Sequence, residues 1–135
     1  MEIVVVDGQG GGIGKNIIAA LKQKHPEYFI IGVGTNSIAS NNLKKGGADV
    51  IATGENAVVY NVENANVVIA PIGLAFANSM YGEITPLMSK AVSESKANKF
   101  FIPISKCNAK VVGVINKPIN EYIDDLIGMI EELNK

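Results

Sequence analysis

The chain has 135 residues, 47% of them hydrophobic and 19% charged, with a formal net charge of −1 and one cysteine. That length predicts a single domain with a real core, and the composition excludes a disordered chain. The balanced charge, without a basic block, excludes a typical nucleic-acid binder, and the lone Cys107 excludes an internal disulfide or a multi-cysteine metal site.

Met1-Glu2 lacks a secretory signal, and the longest nearly apolar run, Val67 to Ala77, is broken by Pro71 and Gly73 and is too short for a bilayer. A cytoplasmic protein with no membrane partner is the expectation.

Ile3 to Val6 reads as a buried strand, and a helix from about Ile13 to Lys24 follows, ended by Pro26. Tyr28 to Val33 is the second strand. Thr35 or Asn36 can cap a helix from about Ser37 to Lys45, which Gly46-Gly47 stops. Asp49 to Ala52 is a short third strand. Ala57 to Val62 fits a helix or an extended edge, since its periodicity does not separate the two. Asn66 to Ala70 is the fourth strand, and Leu74 to Tyr81 suggests a helical turn. Thr85-Pro86 has the form of a cap with proline at the first helical position, opening a helix to about Ser95. Lys99 to Ile104 is the fifth strand and Lys110 to Ile115 a sixth. About five residues separate these two, too few for a parallel crossover, so the sixth is expected antiparallel at the sheet edge. Pro118 opens a C-terminal amphipathic helix with Ile119, Tyr122, Ile123, Leu126, Ile130 and Leu133 on one stripe. Alternating strands and helices predict an α/β fold, a doubly wound parallel sheet of order 3-2-1-4-5 with an antiparallel edge strand.

Between the first strand and first helix lies Asp7-Gly8-Gln9-Gly10-Gly11-Gly12-Ile13-Gly14-Lys15. Five glycines in seven residues expose more backbone than a turn requires, and a helix start offers N–H groups and a positive dipole end to an anion. The general G-x-G-x-x-G fingerprint does not fit from Gly8, because its last position falls on Ile13. The T-G-x-x-x-G-I-G pattern of short-chain dehydrogenases fits at Gly8, Gly12, Ile13 and Gly14, with Asp7 in place of threonine. That resemblance implies that Gly8 makes the turn, Gly12 admits a pyrophosphate and Gly14 packs helix on strand. The catalytic Tyr-x-x-x-Lys of those enzymes is absent. Gly11-Gly12-Ile13-Gly14-Lys15 also resembles the G-G-x-G-K core of ParA/MinD-type ATPases, but Asn16 replaces the hydroxyl that holds Mg²⁺ and the fourth strand ends without an aspartate.

Ligands of such sheets bind beyond the carboxyl ends of the strands, where the strand order reverses. The loops expected there are the glycine loop, Gly34-Thr35-Asn36, Thr53-Gly54-Glu55-Asn56, Pro71-Ile72-Gly73 with Asn78-Ser79, and Ser105-Lys106-Cys107-Asn108. Thr35-Asn36 takes the place of the acidic residue that holds a dinucleotide ribose, and the chain has no arginine for a 2′-phosphate, so NAD and NADP both stay open. Glu55 and Glu83 are the carboxylates placed for acid–base work, although Glu83 reads first as helix N-terminal charge. No catalytic residue and no metal ligand is assigned.

Taken together, the glycine loop, Gly34-Thr35-Asn36, Ala52-Thr53-Gly54-Glu55-Asn56-Ala57, Pro71-Ile72-Gly73 with Ala77-Asn78-Ser79, Gly82-Glu83-Ile84-Thr85-Pro86 and Cys107-Asn108 resemble a small bacterial family of uncharacterised Rossmann-like proteins. The resemblance implies the fold and a bacterial cytosolic setting, and no activity. The resulting expectation is a nucleotide or dinucleotide binder. Its cofactor-binding residues are Gly8, Gln9, Gly10, Gly11, Gly12, Ile13, Gly14, Lys15, Thr35, Asn36, Thr53, Gly54, Glu55, Asn56, Pro71, Ile72 and Gly73. A nucleotide-sensing module without catalysis and a P-loop-like NTPase are the alternatives, and the short chain suggests a homo-oligomer.

Overall fold

A computed structural model describes residues 1–104 and 109–135. Five strands form one sheet of order β3-β2-β1-β4-β5, with every pair parallel. They are β1 (Glu2–Asp7), β2 (Phe29–Gly34), β3 (Val50–Thr53), β4 (Val67–Pro71) and β5 (Asn98–Ile102). The helices are α1 (Gly12–Lys24), α2 (Ser37–Gly46), α3 (Glu55–Asn64), α4 (Pro86–Glu94) and α5 (Ile119–Glu132), with a 3₁₀ turn at Ile72–Ala75. The register puts Asp7, Gly34 and Thr53 in one row at the carboxyl edge, and Pro71 opposite Ile102. The order matches the expectation, and it puts the reversal between β1 and β4, above which the glycine loop sits.

Side chains alternate across a strand, so β1 feeds two cores. Ile3 and Val5 pack with Ile17, Ile18 and Leu21 of α1, Leu43 of α2 and the apolar stripe of α5. Val4 and Val6 pack on the opposite face with Val58 and Val62 of α3 and Met88 and Val92 of α4. A continuous apolar run in β1 is therefore what two covered faces require. Asn36 caps α2 by accepting from the Ala39 N–H at 2.8 Å, and Thr85 caps α4 by accepting from Met88 N–H at 3.2 Å with Pro86 at the first helical position. The ambiguous stretch Ala57 to Val62 is helical, since α3 buries Val58 and Val62 four residues apart on one face.

The predicted sixth strand is not present. Residues 110–115 form no strand pairing, and the sheet ends at β5. Gly113 has φ +89° and the Val114 N–H returns to the Val111 carbonyl at 3.4 Å, a local turn where an extended strand would need to continue. Val112 is fully exposed and Ile115 is 77% exposed, so the β-branched run that suggested a strand buries little apolar surface here. The rim segment Ser105-Lys106-Cys107-Asn108 lies outside the described residues. Among the described residues no helix is long and apolar enough to cross a membrane.

Helices α1 and α2 cross closely at Gly46, where an added Cβ would lie 2.6 Å from the Lys15 carbonyl oxygen. Gly46→Val should therefore cost about 1–3 kcal/mol through overpacking. Ile18→Ala, in the core, should cost about 2–5 kcal/mol. Ile38→Ala, on the exposed face of α2, should stay within about 0.5 kcal/mol. Urea denaturation of the three variants checks this ranking.

Candidate functional site

The glycine loop is built on Asp7, the last residue of β1, which is only 3% exposed. Its two carboxylate oxygens accept from the Gly8 N–H at 2.8 Å and from the Gly14 N–H at 2.6 Å. One buried side chain thus ties the strand end to the first turn of α1 and fixes the loop between them. Gly14 makes this possible because a Cβ there would lie 2.4 Å from Leu43 Cδ2 and 3.0 Å from Asp7 Oδ2. Gly11 is the residue before α1 and has φ +71°, a left-handed conformation that suits glycine. Its N–H donates to the Gly8 carbonyl at 3.0 Å.

A second carboxylate braces the loop from the other side. Glu83 Oε1 accepts from the Gln9 N–H at 2.8 Å, from the Asn36 amide at 2.9 Å and from the Thr35 hydroxyl. Burial alone would push this carboxyl up. The three hydrogen bonds outweigh burial and hold it below the usual range. Glu83 therefore acts on the loop rather than on the dipole of α4. It is delivered by a segment in which Asn78, Met80, Tyr81 and Gly82 all have φ between +55° and +85°. Non-glycine residues rarely hold that conformation unless the surroundings impose it. Here the Ser79 hydroxyl donates to the Gly73 carbonyl at 2.5 Å and the Asn78 N–H to the Ile84 carbonyl at 2.6 Å, closing the segment on itself.

Helix α2 orients the loop's peptides. The Asn36 amide donates to the Gln9 carbonyl at 2.9 Å and the Asn42 amide to the Gly10 carbonyl at 2.5 Å. In a trans peptide the N–H points opposite to the carbonyl, so anchoring the Gln9 carbonyl turns the Gly10 N–H away from α2. The N–H groups of Gly8, Gln9, Gly11, Gly14 and Lys15 are all used. Those of Gly10, Gly12 and Ile13 have no hydrogen-bond partner among the described residues.

A cleft of about 590 Å³ opens over this loop. Its lining includes Gly8 to Ile13, Lys15 and Pro71, all expected from the sequence. Gly14 is buried under the loop instead. Thr35 and Asn36 are spent on Glu83 and on the α2 cap, and Thr53, Gly54, Glu55, Asn56, Ile72 and Gly73 do not line the cleft. The structure adds Asp7, Asn16, Asn42, Met80, Ile104 and Ile119. Nothing local in the sequence marks Asn42, Met80, Ile104 or Ile119, since only the crossing of elements brings them there. The Asp7 role had a signal, an aspartate at a strand end facing a glycine seven residues on.

Burial pushes the Asp7 carboxyl up to about 6, against the hydrogen bonds from Gly14 and Gly8 that favour its charge, and the Glu83 charge adds to the rise. A carboxyl whose folded pKa exceeds its unfolded value binds its proton more tightly in the folded chain. Its contribution to stability therefore grows as pH falls from above 6 toward 4. Asp49, Glu83 and Glu131 are held below their usual range, so their contributions have the opposite sign and are lost only at lower pH. Between pH 7 and pH 4.5 the wild type should gain on the order of 2 kcal/mol relative to Asp7→Asn. Urea midpoints at the two pH values measure this difference, and equal changes in both proteins would remove the assignment to Asp7.

The family model described as Domain of unknown function (DUF3842) matches residues 2–135. No match is found among curated proteins. Among solved structures, the chain is similar to a dodecameric FMN-dependent Ubix-like decarboxylase from Escherichia coli O157:H7, at 12% identity and a TM-score of 0.49, covering 97% of this chain and 94% of that one. With its family model matched over almost its whole length, the chain belongs to the DUF3842 family of domains of unknown function.

Proposed function

We propose that the chain binds a phosphate-bearing small molecule of nucleotide type in the cleft above the glycine loop. One observation carries this reading: the Gly10, Gly12 and Ile13 N–H groups, at the positive end of α1, border a cleft of about 590 Å³ that Lys15 also lines. Oriented backbone N–H groups at a helix start favour an anion, and the volume is that of an ordinary small-molecule site. Lys15 lies in the first turn of α1, where its charge opposes the dipole. A bound phosphate would relieve that opposition.

A binding or sensing role is favoured over catalysis by the state of the carboxylates. Asp7 pins two N–H groups of the loop and Glu83 holds three donors, so neither is placed as a general base. Glu55 lies exposed at the start of α3, away from the cleft. At the position of a P-loop's magnesium hydroxyl the cleft has Asn16, and β4 ends in Pro71. These residue types support nucleotide binding without the P-loop arrangement.

A thermal-shift panel of NAD(H), NADP(H), AMP, ATP, GTP, FMN, coenzyme A and S-adenosylmethionine, with and without Mg²⁺, tests the proposal. At about a hundred times its dissociation constant a ligand should add about 2.7 kcal/mol of stability. Among the described residues a Cβ at Gly12 meets no atom within 4 Å, so Gly12→Val should fold normally while blocking the N–H groups beside it. Lys15→Ala should weaken binding about fivefold, most clearly at low salt. A flat panel on folded wild-type protein would sink the proposal.

A further inference from the structure

Resting on that reading, we infer that the cleft takes a single nucleotide, its ring system lying over β4 and the start of α5, and that it rejects dinucleotides because the second half-site is filled by the chain itself. A dinucleotide on a sheet of this kind places one ribose at the carboxyl end of β2. That place is closed here. An added Cβ at Gly8 would lie 2.9 Å from each of Glu83 Oε1, Met80 Sδ and Thr35 Oγ1, so these side chains crowd the space beside Gly8 between the ends of β1 and β2.

The polar groups there are also consumed. The Thr35 hydroxyl donates to Glu83. The Asn36 amide donates to Glu83 and to the Gln9 carbonyl, and its oxygen accepts from Ala39. The hydrogen-bond donors of Thr35 and Asn36 at the end of β2 are thus all engaged within the chain. Glu83, held ionised by its three donors, repels a 2′-phosphate. Among the described residues the cleft receives from the β2–β3 side only Asn42 of α2, whose amide is already on the Gly10 carbonyl.

The opposite wall is different in kind. Pro71 at the end of β4, Ile104 and Ile119 give the cleft an apolar surface. An apolar wall beside oriented donors suits a flat ring with a phosphorylated arm, the ring on the wall and the phosphate at Gly10, Gly12 and Ile13. The inference is thus one of size and direction: one ring, one arm, pointing away from β2.

Matched pairs test it. AMP is contained in NAD, and FMN is contained in FAD. Titration calorimetry on the intact chain should show one or both mononucleotides binding, with the matching dinucleotide at least tenfold weaker. Ile119→Glu should weaken the mononucleotide at least tenfold, whereas Ile38→Glu, on the exposed first turn of α2, should leave it within twofold. A dinucleotide that binds as tightly as its mononucleotide would overturn the inference and leave the proposed nucleotide site standing. Ile38→Glu costing as much as Ile119→Glu, or binding of inorganic pyrophosphate alone, would do the same. No binding by any of the five compounds would overturn the inference, and a flat thermal-shift panel beside it would overturn the proposed function as well. The pair comparison uses the unaltered chain, so it stands even if Ile119→Glu fails to fold.

Discussion

The geometry of the site depends on one buried carboxylate. Asp7 ends β1 and accepts from N–H groups on both sides of the glycine loop. Five glycines in seven residues would otherwise carry a large conformational entropy. A charge-assisted hydrogen bond at each end of the loop limits that freedom, and such bonds are stronger than neutral ones. The cost is desolvation, visible in a carboxyl pushed up to about 6. The sheet supplies what makes this tolerable, because β1 is central and rigid, flanked by β2 and β4.

Glu83 adds a second constraint from a distant part of the chain. Its side chain reaches across 74 residues of sequence to the Gln9 N–H. The segment with Asn78, Met80, Tyr81 and Gly82 left-handed delivers it, and backbone in that conformation persists only where the fold over-determines it. Between them, the two carboxylates take three loop N–H groups and leave the outward ones to the cleft. Among the described residues, Glu83, Met80 and Thr35 crowd the β1–β2 side, while Pro71, Ile104 and Ile119 make the β4 side of the cleft apolar.

Much of the fold was legible in the sequence because burial on two faces leaves continuous apolar runs. Ile3 to Val6 and Asn66 to Ala70 read as strands on that ground. Thr85-Pro86 and Asn36 announced helix starts through local chemistry that needs no tertiary context. Lys110 to Ile115 failed for the converse reason. Its β-branched residues satisfy a strand pattern, yet strand formation depends on a partner edge and a surface to cover, neither of which the pattern contains. Gly113 at φ +89° breaks the run instead.

The sequence by itself determined the parallel α/β architecture and the strand order, and it marked the loop from Gly8 to Lys15 as the candidate site. These follow from periodicity, caps and glycine spacing, which are local. Tertiary structure alone decided which loop residues face outward. Gly14 went beneath the loop and Gly12 above it, because Leu43 and Asp7 fill the space under Gly14 and none of the described residues fills the space over Gly12. It also decided that Thr35, Asn36 and Glu83 satisfy one another rather than border the cleft, and that Ile104 and Ile119 do border it. Such choices depend on which side chains meet when strands and helices cross, and no spacing along the chain encodes them.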